Sequence, residues 1–267
     1  MTSDLYVERL GAGAQIVTMH GGLGLDHSYF RPWLDGLSGI GTLVYYDHRG
    51  NGRSPRPGDW AGYDFDLLVE DADAVARDGG DDPFVLIGHS YGGFIAQHYT
   101  IAHPERLRGL ILMNTAPAFD YQPAFDGTEA QMAALTRALS EPMPDDATWR
   151  ETWMTLSQMY YRRFDAEVAA RLDAATVYSA QAWNAANGLL ATFDTREGLA
   201  ALKGVPTLVI GGRHDPITPP GPGAERIAGL IEGAELAIFE ESGHFPFIEE
   251  TAAVETLLKD WIGALRM

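Results

Sequence analysis

The 267 residues carry 37 Asp and Glu against 19 Lys and Arg, a formal net charge of −18, which argues against nucleic acid and anionic membrane surfaces as partners. A 46% hydrophobic and 21% charged composition is that of a globular chain, long enough for one open α/β domain carrying an insertion or for two small domains. With no cysteine there is no disulfide, no thiolate nucleophile and no cysteine zinc site.

No apolar run approaches the ~20 residues that span a bilayer. Residues 1–8 contain neither a basic region nor an apolar stretch of the secretory kind, so a cytoplasmic location is the expectation. Residues 5–10 and 15–19 are β-rich runs, predicted to pair as a hairpin through 11–14 that opens the sheet. The second run leads into His20-Gly21-Gly22-Leu23-Gly24, where glycines let the backbone approach a ligand and turn amides inward. A strand is predicted at 42–46, followed by the turn-forming stretch 47–54. Apolar spacing through Leu67, Leu68, Val69, Ala72, Val75 and Ala76 predicts a helix over 66–78, stopped by Gly79-Gly80.

Residues 84–87 read as a short buried strand, and 94–102 as a helix ended by His103-Pro104. Between them lies Gly88-His89-Ser90-Tyr91-Gly92, a G-x-S-x-G sequence in the strand-turn-helix setting of a nucleophile elbow. Such a turn drives the serine toward positive φ, which gives Gly88, Gly92 and Gly93 a steric purpose. Another buried strand follows at 107–113.

From 116 to 202 the alternation of strand and helix stops. Helices are predicted at 128–139, 148–161, 165–175 and 177–190, with Pro142 and Pro144 separating the first two. The sheet pattern returns at 206–211, then a helix near 223–231, a strand at 235–239 and a last helix at 251–265. The predicted organisation is a core domain over 1–115 and 203–267, interrupted by a helical cap over 116–202.

A serine hydroxyl needs a base to take its proton, and the base needs a third group to hold its tautomer. His244 follows a predicted strand and precedes the last helix, at the sheet edge where strand carboxyl ends gather. The order Ser, acid, His selects His244 as base and Asp215, at the end of the preceding strand, as acid. The other position for the acid, at the end of the strand before the insertion, holds the uncharged Asn114. Asp215 also suits the N-cap of a following helix. The oxyanion donors, worth ~3 kcal/mol of barrier each, are assigned to the amides of Tyr91 and Gly22, with Leu23 in reserve. His20, His48 and His89 are read as buried supports of loops, and His27, His98, His103 and His214 as surface or supporting residues. No H-E-x-x-H or comparable spacing occurs, so no metal and no cofactor is expected.

These segments together resemble the α/β-hydrolase superfamily: the elbow, the His-Gly-Gly loop, the stretch 45–54, Gly212-Arg213-His214-Asp215 and Ser242-Gly243-His244. Within it, residues 20–29 and 45–50 are similar to proline iminopeptidases. Leu23 stands where their loop has proline, and Pro216 follows Asp215 where some members carry an acid. None of Glu129, Glu141, Glu151 or Glu167 aligns with their amine-binding glutamates. The resemblance implies an α/β-hydrolase fold, a mostly parallel central sheet flanked by helices and bearing a helical cap.

The cap should set substrate choice. Trp149, Trp153, Tyr160 and Trp183, with Phe245 from the core, are the candidate pocket residues, and Met132, Met154 and Met159 add adaptable apolar surface. The expected activity is a cofactor-free serine hydrolase acting on a small, largely apolar ester, lactone or amide. Release of an N-terminal proline from a short peptide is the alternative. A non-hydrolytic ligand receptor, a lyase and a cofactor-free oxygenase are the other classes open to this scaffold.

Overall fold

The strands are β1 (Val7–Leu10), β2 (Gln15–Met19), β3 (Thr42–Tyr46), β4 (Phe84–His89), β5 (Leu107–Met113), β6 (Thr207–Gly212) and β7 (Glu235–Phe239). In the computed structural model, which describes residues 4–265, they form one sheet in the order β1-β3-β2-β4-β5-β6-β7. Residues 1–3, part of the stretch 1–8 on which the expected cytoplasmic location rested, lie outside the described residues. β1 is antiparallel to β3, and the other pairs are parallel.

The predicted hairpin between the first two strands does not form. β1 pairs instead with β3, Val7 opposite Tyr46, and β3 separates it from β2. The reason is burial: β2 is buried at every position and needs parallel neighbours on both sides, whereas β1 is only half-buried and suits an edge.

Alternation along the strands divides the core into two layers. Val17, Met19, Leu86, Leu112 and Val209 face one side, where they meet α1 (Phe65–Asp78) and α2 (Tyr91–Ala102). Ile16, Val85, Ile87, Ile111 and Ile210 face the other, against Phe30 and Leu37 of two short 3-10 turns and Leu34 between them.

The cap contains α3 (Glu129–Ser140), α4 (Asp146–Leu156), α5 (Ala166–Ala175), α6 (Ala180–Leu190) and α7 (Arg196–Ala201), all between β5 and β6. Its neck is tied where Ala118 bridges Asp194 and Thr195 N donates to Pro117 O at 2.9 Å. Two predicted helices are shorter than their apolar patterns, and contacts with the core explain both. The helix predicted over 148–161 gives way to a 3-10 turn at Ser157–Tyr160, whose last carbonyl faces His244 N. The one predicted from 177 starts at Ala180, because Val177 N and Ser179 N are bonded to Asp26 and Gly24 of the core.

Beyond β6 the chain turns through Gly221–Glu225 into α8 (Arg226–Leu230), a break forced where Gly223 lies against Thr115 O. After β7 come α9 (Pro246–Glu249) and α10 (Thr251–Ala264). The buried stripe of α10, Val254, Leu258 and Trp261, completes the second layer at helical spacing. Among the described residues no helix is long and apolar enough to cross a membrane.

The start of α2 is pressed against the end of β2: a Cβ on Gly92 would stand 2.5 Å from His20 O and nearer still to Met19 O. Gly92→Ala is therefore expected to destabilise by about 1–3 kcal/mol, since backbone cannot yield as a side chain can. Gly188→Ala, in α6 with nothing within 4 Å of the added methyl, should be stabilising by about 0.5–1 kcal/mol. Urea denaturation of the two variants checks the contrast.

Candidate active site

Ser90 joins β4 to α2 with φ 54° and ψ −121°, a backbone state that residues bearing a Cβ seldom occupy. Such strain costs of order 1–3 kcal/mol and persists only where neighbours impose it. Ser90 N donates to Met113 O at 3.0 Å, while Ser90 O accepts from Gly93 N at 2.9 Å and from Thr115 Oγ1 at 3.0 Å. The flanking glycines leave no room for side chains. A Cβ on Gly88 would lie 2.6 Å from that of Ala96, and one on Gly93 2.6 Å from that of Thr115. The His20–Gly24 loop comes equally close, Gly21 leaving only 2.6 Å between an added Cβ and the Ser90 Cβ.

Asp215 follows β6 and is buried. No helix follows it directly, so it caps none; its Oδ1 closes the local turn by accepting from Ile217 N at 2.9 Å and Thr218 N at 3.1 Å. Its Oδ2 accepts from His244 Nδ1 at 2.8 Å, Asn114 Nδ2 at 2.8 Å and Thr218 Oγ1 at 2.7 Å. Burial pushes the carboxyl pKa up, but the His244 charge and hydrogen bond, with those from Asn114 and Thr218, outweigh it and bring it to about 2. Asn114, read from sequence only as a position without charge, thus orients the acid, and it does so from a backbone at φ 45°. Thr218 was not singled out in the sequence; its proximity depends on the turn after Asp215.

With Nδ1 donated to Asp215, His244 has Nε2 free for a partner on its other side. Ser90 and His244 line the same cavity, although among the described residues no hydrogen bond joins them. The cavity has a volume of about 160 Å³, and Gly22, Leu23 and Tyr91 stand on its wall beside Ser90. Trp149, Trp153, Tyr160, Trp183 and Phe245 also line it. Trp149 is fully buried, donates from Nε1 to Gly24 O at 3.2 Å and packs on Trp183 with ring centres 4.1 Å apart. The Tyr160 ring meets His244 nearly edge-on, at 5.4 Å and 84°. Met154 is on the wall as well, whereas Phe193 packs on Phe94 in the neck of the cap. Asp173 is the one carboxylate lining the cavity among the described residues, and it is engaged by Arg150 and by the Tyr178 hydroxyl at 3.0 Å.

Residues 15–251 match the family described as alpha/beta hydrolase fold. The chain belongs to that family. This α/β-hydrolase is 30% identical to a proline iminopeptidase of Saccharolobus solfataricus, over 94% of the chain and 86% of the relative. It is 32% identical to the AB hydrolase superfamily protein YisY of Bacillus subtilis, over 95% and 93%. Among solved structures, an esterase from Exiguobacterium antarcticum superposes with a TM-score of 0.81 at 25% identity, covering 97% of this chain and 96% of that one. The chain is thus a hydrolase resembling esterases and proline iminopeptidases.

Three loops of this α/β-hydrolase are joined by one buried chain of hydrogen bonds. Gly21 N donates to the Tyr29 oxygen at 2.5 Å, the Tyr29 hydroxyl to His89 Nδ1 at 2.8 Å, and His89 Nε2 to His244 O at 2.9 Å. A carbonyl and an amide at the two ends leave one consistent direction, with His89 neutral and protonated at Nε2. Burial holds the His89 pKa well below the usual range, and the nearby His244 charge pushes the same way. His20 and His48 are likewise neutral supports. His20 Nδ1 donates to Gly21 O at 2.9 Å while its Nε2 accepts from His48 N at 3.1 Å. His27 is no surface residue: it is buried, with Nδ1 2.6 Å from Asp47 Oδ1. Tyr29 escaped the sequence reading because a tyrosine in a short turn carries no periodic signal.

Tyr29→Phe keeps the ring and leaves Gly21 N and His89 Nδ1 buried without partners. A loss of about 1–3 kcal/mol in unfolding free energy is expected by urea titration. Asp215 gives a second expectation, with its sign fixed by the lowered folded-state pKa. Its contribution is complete above the ordinary value of 3.8 and is lost as pH falls through about 2. The unfolding free energy of the wild type should therefore fall more steeply between pH 5 and 3 than that of Asp215→Asn, by about 1 kcal/mol. Parallel slopes would show that Asp215 carries no depressed titration.

Proposed function

We propose that the protein is a serine hydrolase that cleaves an ester or lactone of a small, largely uncharged substrate through an acyl-enzyme. The observation that carries this reading is the His244 Nδ1–Asp215 Oδ2 hydrogen bond at 2.8 Å beside a cavity that Ser90 shares. Ser90 Oγ attacks the carbonyl carbon as His244 Nε2 takes its proton, and Asp215 stabilises the imidazolium. The amides of Tyr91 and of Gly22, or Leu23, receive the oxyanion. His244 then gives the proton to the departing alkoxide. Water, deprotonated by the same nitrogen, releases the acid and restores Ser90.

The cavity wall favours a neutral substrate. An N-terminal proline would bring an ammonium group, and the single carboxylate on the wall, Asp173, is already neutralised by Arg150. Aromatic rings on the remaining wall suit an apolar acyl or ring-bearing group. The second reading, release of N-terminal proline, is favoured by the relative from S. solfataricus, whose name is that activity. On the proposed reading the core comprises residues 1–115 and 203–267, and the cap, 116–202, chooses the substrate.

A fluorophosphonate probe should label the wild type stoichiometrically at Ser90 and leave Ser90→Ala unlabelled. The same variant is expected to lose about 10⁴-fold or more in kcat/KM. p-Nitrophenyl acetate and butyrate are expected to turn over and proline p-nitroanilide not. Turnover of the anilide alone would move the assignment to the peptidase, and an unlabelled wild type would remove the nucleophile.

A further inference from the structure

We propose that Glu249 is a positioning residue that clamps the loop bearing His244 to cap segment 160–163, so that the base and this part of the cap move as one body. This rests on the proposed role of His244. Glu249 ends α9, and its two oxygens are divided between the two parts of the molecule. Oε2 accepts from Gly243 N at 2.7 Å, one residue before the imidazole, and Oε1 accepts from Arg163 N at 3.0 Å in the cap. The cap makes a return contact: Tyr160 O accepts from His244 N at 2.7 Å. Backbone lies directly on backbone there. A Cβ on Gly243 would fall 2.8 Å from Arg162 N and closer to Tyr160 O.

The neighbouring side chains have other partners. Glu250 Oε2 accepts from Glu241 N at 3.1 Å and Ser242 Oγ at 2.6 Å, bracing the same turn within the core. The guanidinium groups of Arg162 and Arg163 pair with Glu241. Glu249 thus joins cap to base through main-chain amides, and its two-sided acceptance needs both oxygens. Burial raises its pKa above the usual carboxylate range, and Glu250 adds to the rise, although the Arg163, Gly243 and Arg162 amides pull it down. A glutamine in its place retains one accepting oxygen and puts an NH₂ against an N–H. The cap therefore opens, if it opens, away from this seam, because movement here would carry the imidazole with it.

The test compares Glu249→Gln and Glu249→Asp with the wild type on p-nitrophenyl butyrate. A displaced base costs kcat, and a shift of ~1 Å is worth up to ~100-fold. The glutamine variant is expected to lose 10- to 100-fold in kcat with KM within about threefold. The aspartate variant should recover part of the loss. The downfield proton resonance of His244 Nδ1–H, absent from a His244→Gln control, should move in Glu249→Gln. Unchanged kcat with an unmoved resonance overturns the proposal, as does a loss confined to KM or to thermal stability.

Should the variants not fold, amide hydrogen exchange on the wild type decides. The Gly243, His244 and Arg163 amides should be protected and share one exchange rate. Exchange of Gly243 or Arg163 at the rate of an open loop overturns the clamp. A wild type that neither labels with fluorophosphonate nor cleaves the ester overturns the hydrolase reading instead, while the exchange result still judges the clamp.

Discussion

A serine held at φ 54° and ψ −121° would relax toward ordinary backbone if its neighbours released it. The neighbours do not: its N–H is fixed by Met113 O, its carbonyl by Gly93 N and Thr115 Oγ1, and Gly21 stands against its Cβ. The arrangement of the surrounding loops follows from this turn. β4 must end in the middle of the sheet for Met113 O of β5 to reach Ser90 N. α2 must start at once, which presses Gly92 onto the end of β2 and sets the His20–Gly24 loop beside the hydroxyl. The strain is local, and its restraints come from strands and loops far apart in the chain.

Electrostatics around the turn is arranged by burial and by pairing. Asp215 stays ionised because four donors from Asn114, Thr218, Ile217 and His244 replace the water it loses, along with the Thr218 amide. Three other buried histidines take the opposite course. His20, His48 and His89 are held neutral by burial and used as fixed donors and acceptors between main-chain groups. Near the proposed nucleophile, then, the one carboxylate that supports the base is saturated with hydrogen bonds, and nearby imidazoles are structural. Charge is concentrated where the proposed chemistry requires it.

The cap is joined to the core at several main-chain seams. Ser179 N and Trp149 Nε1 both reach Gly24 O, Val177 N reaches Asp26, and His244 N reaches Tyr160 O. These contacts lie on the loop that bears the proposed oxyanion donors and on the loop that bears the proposed base. Pocket shape and proposed catalytic geometry are consequently set by the same bonds. A change in cap packing would be felt at the imidazole as well as at the substrate.

Local chemistry made much of this legible in the amino-acid order. The G-x-S-x-G turn with its small neighbours, the strand runs at 42–46, 107–113 and 235–239, and the order Ser90, Asp215, His244 are each written in contiguous residues or in spacing along one chain. Only the tertiary structure decided which strand lies beside β1, because edge or interior position depends on what covers both faces, not on the strand's own composition. It also decided where the cap helices begin and end, since bonds to Gly24, Asp26 and His244 override apolar periodicity. The bonds of Asn114 to Asp215 and of Tyr29 to His89 were likewise invisible beforehand, and that of Thr218 to Asp215 depended on the turn between them. A hydrogen bond such as Asn114–Asp215 or Tyr29–His89, between residues so far apart, leaves no trace in either stretch of sequence and exists only once the sheet has brought their loops to one edge.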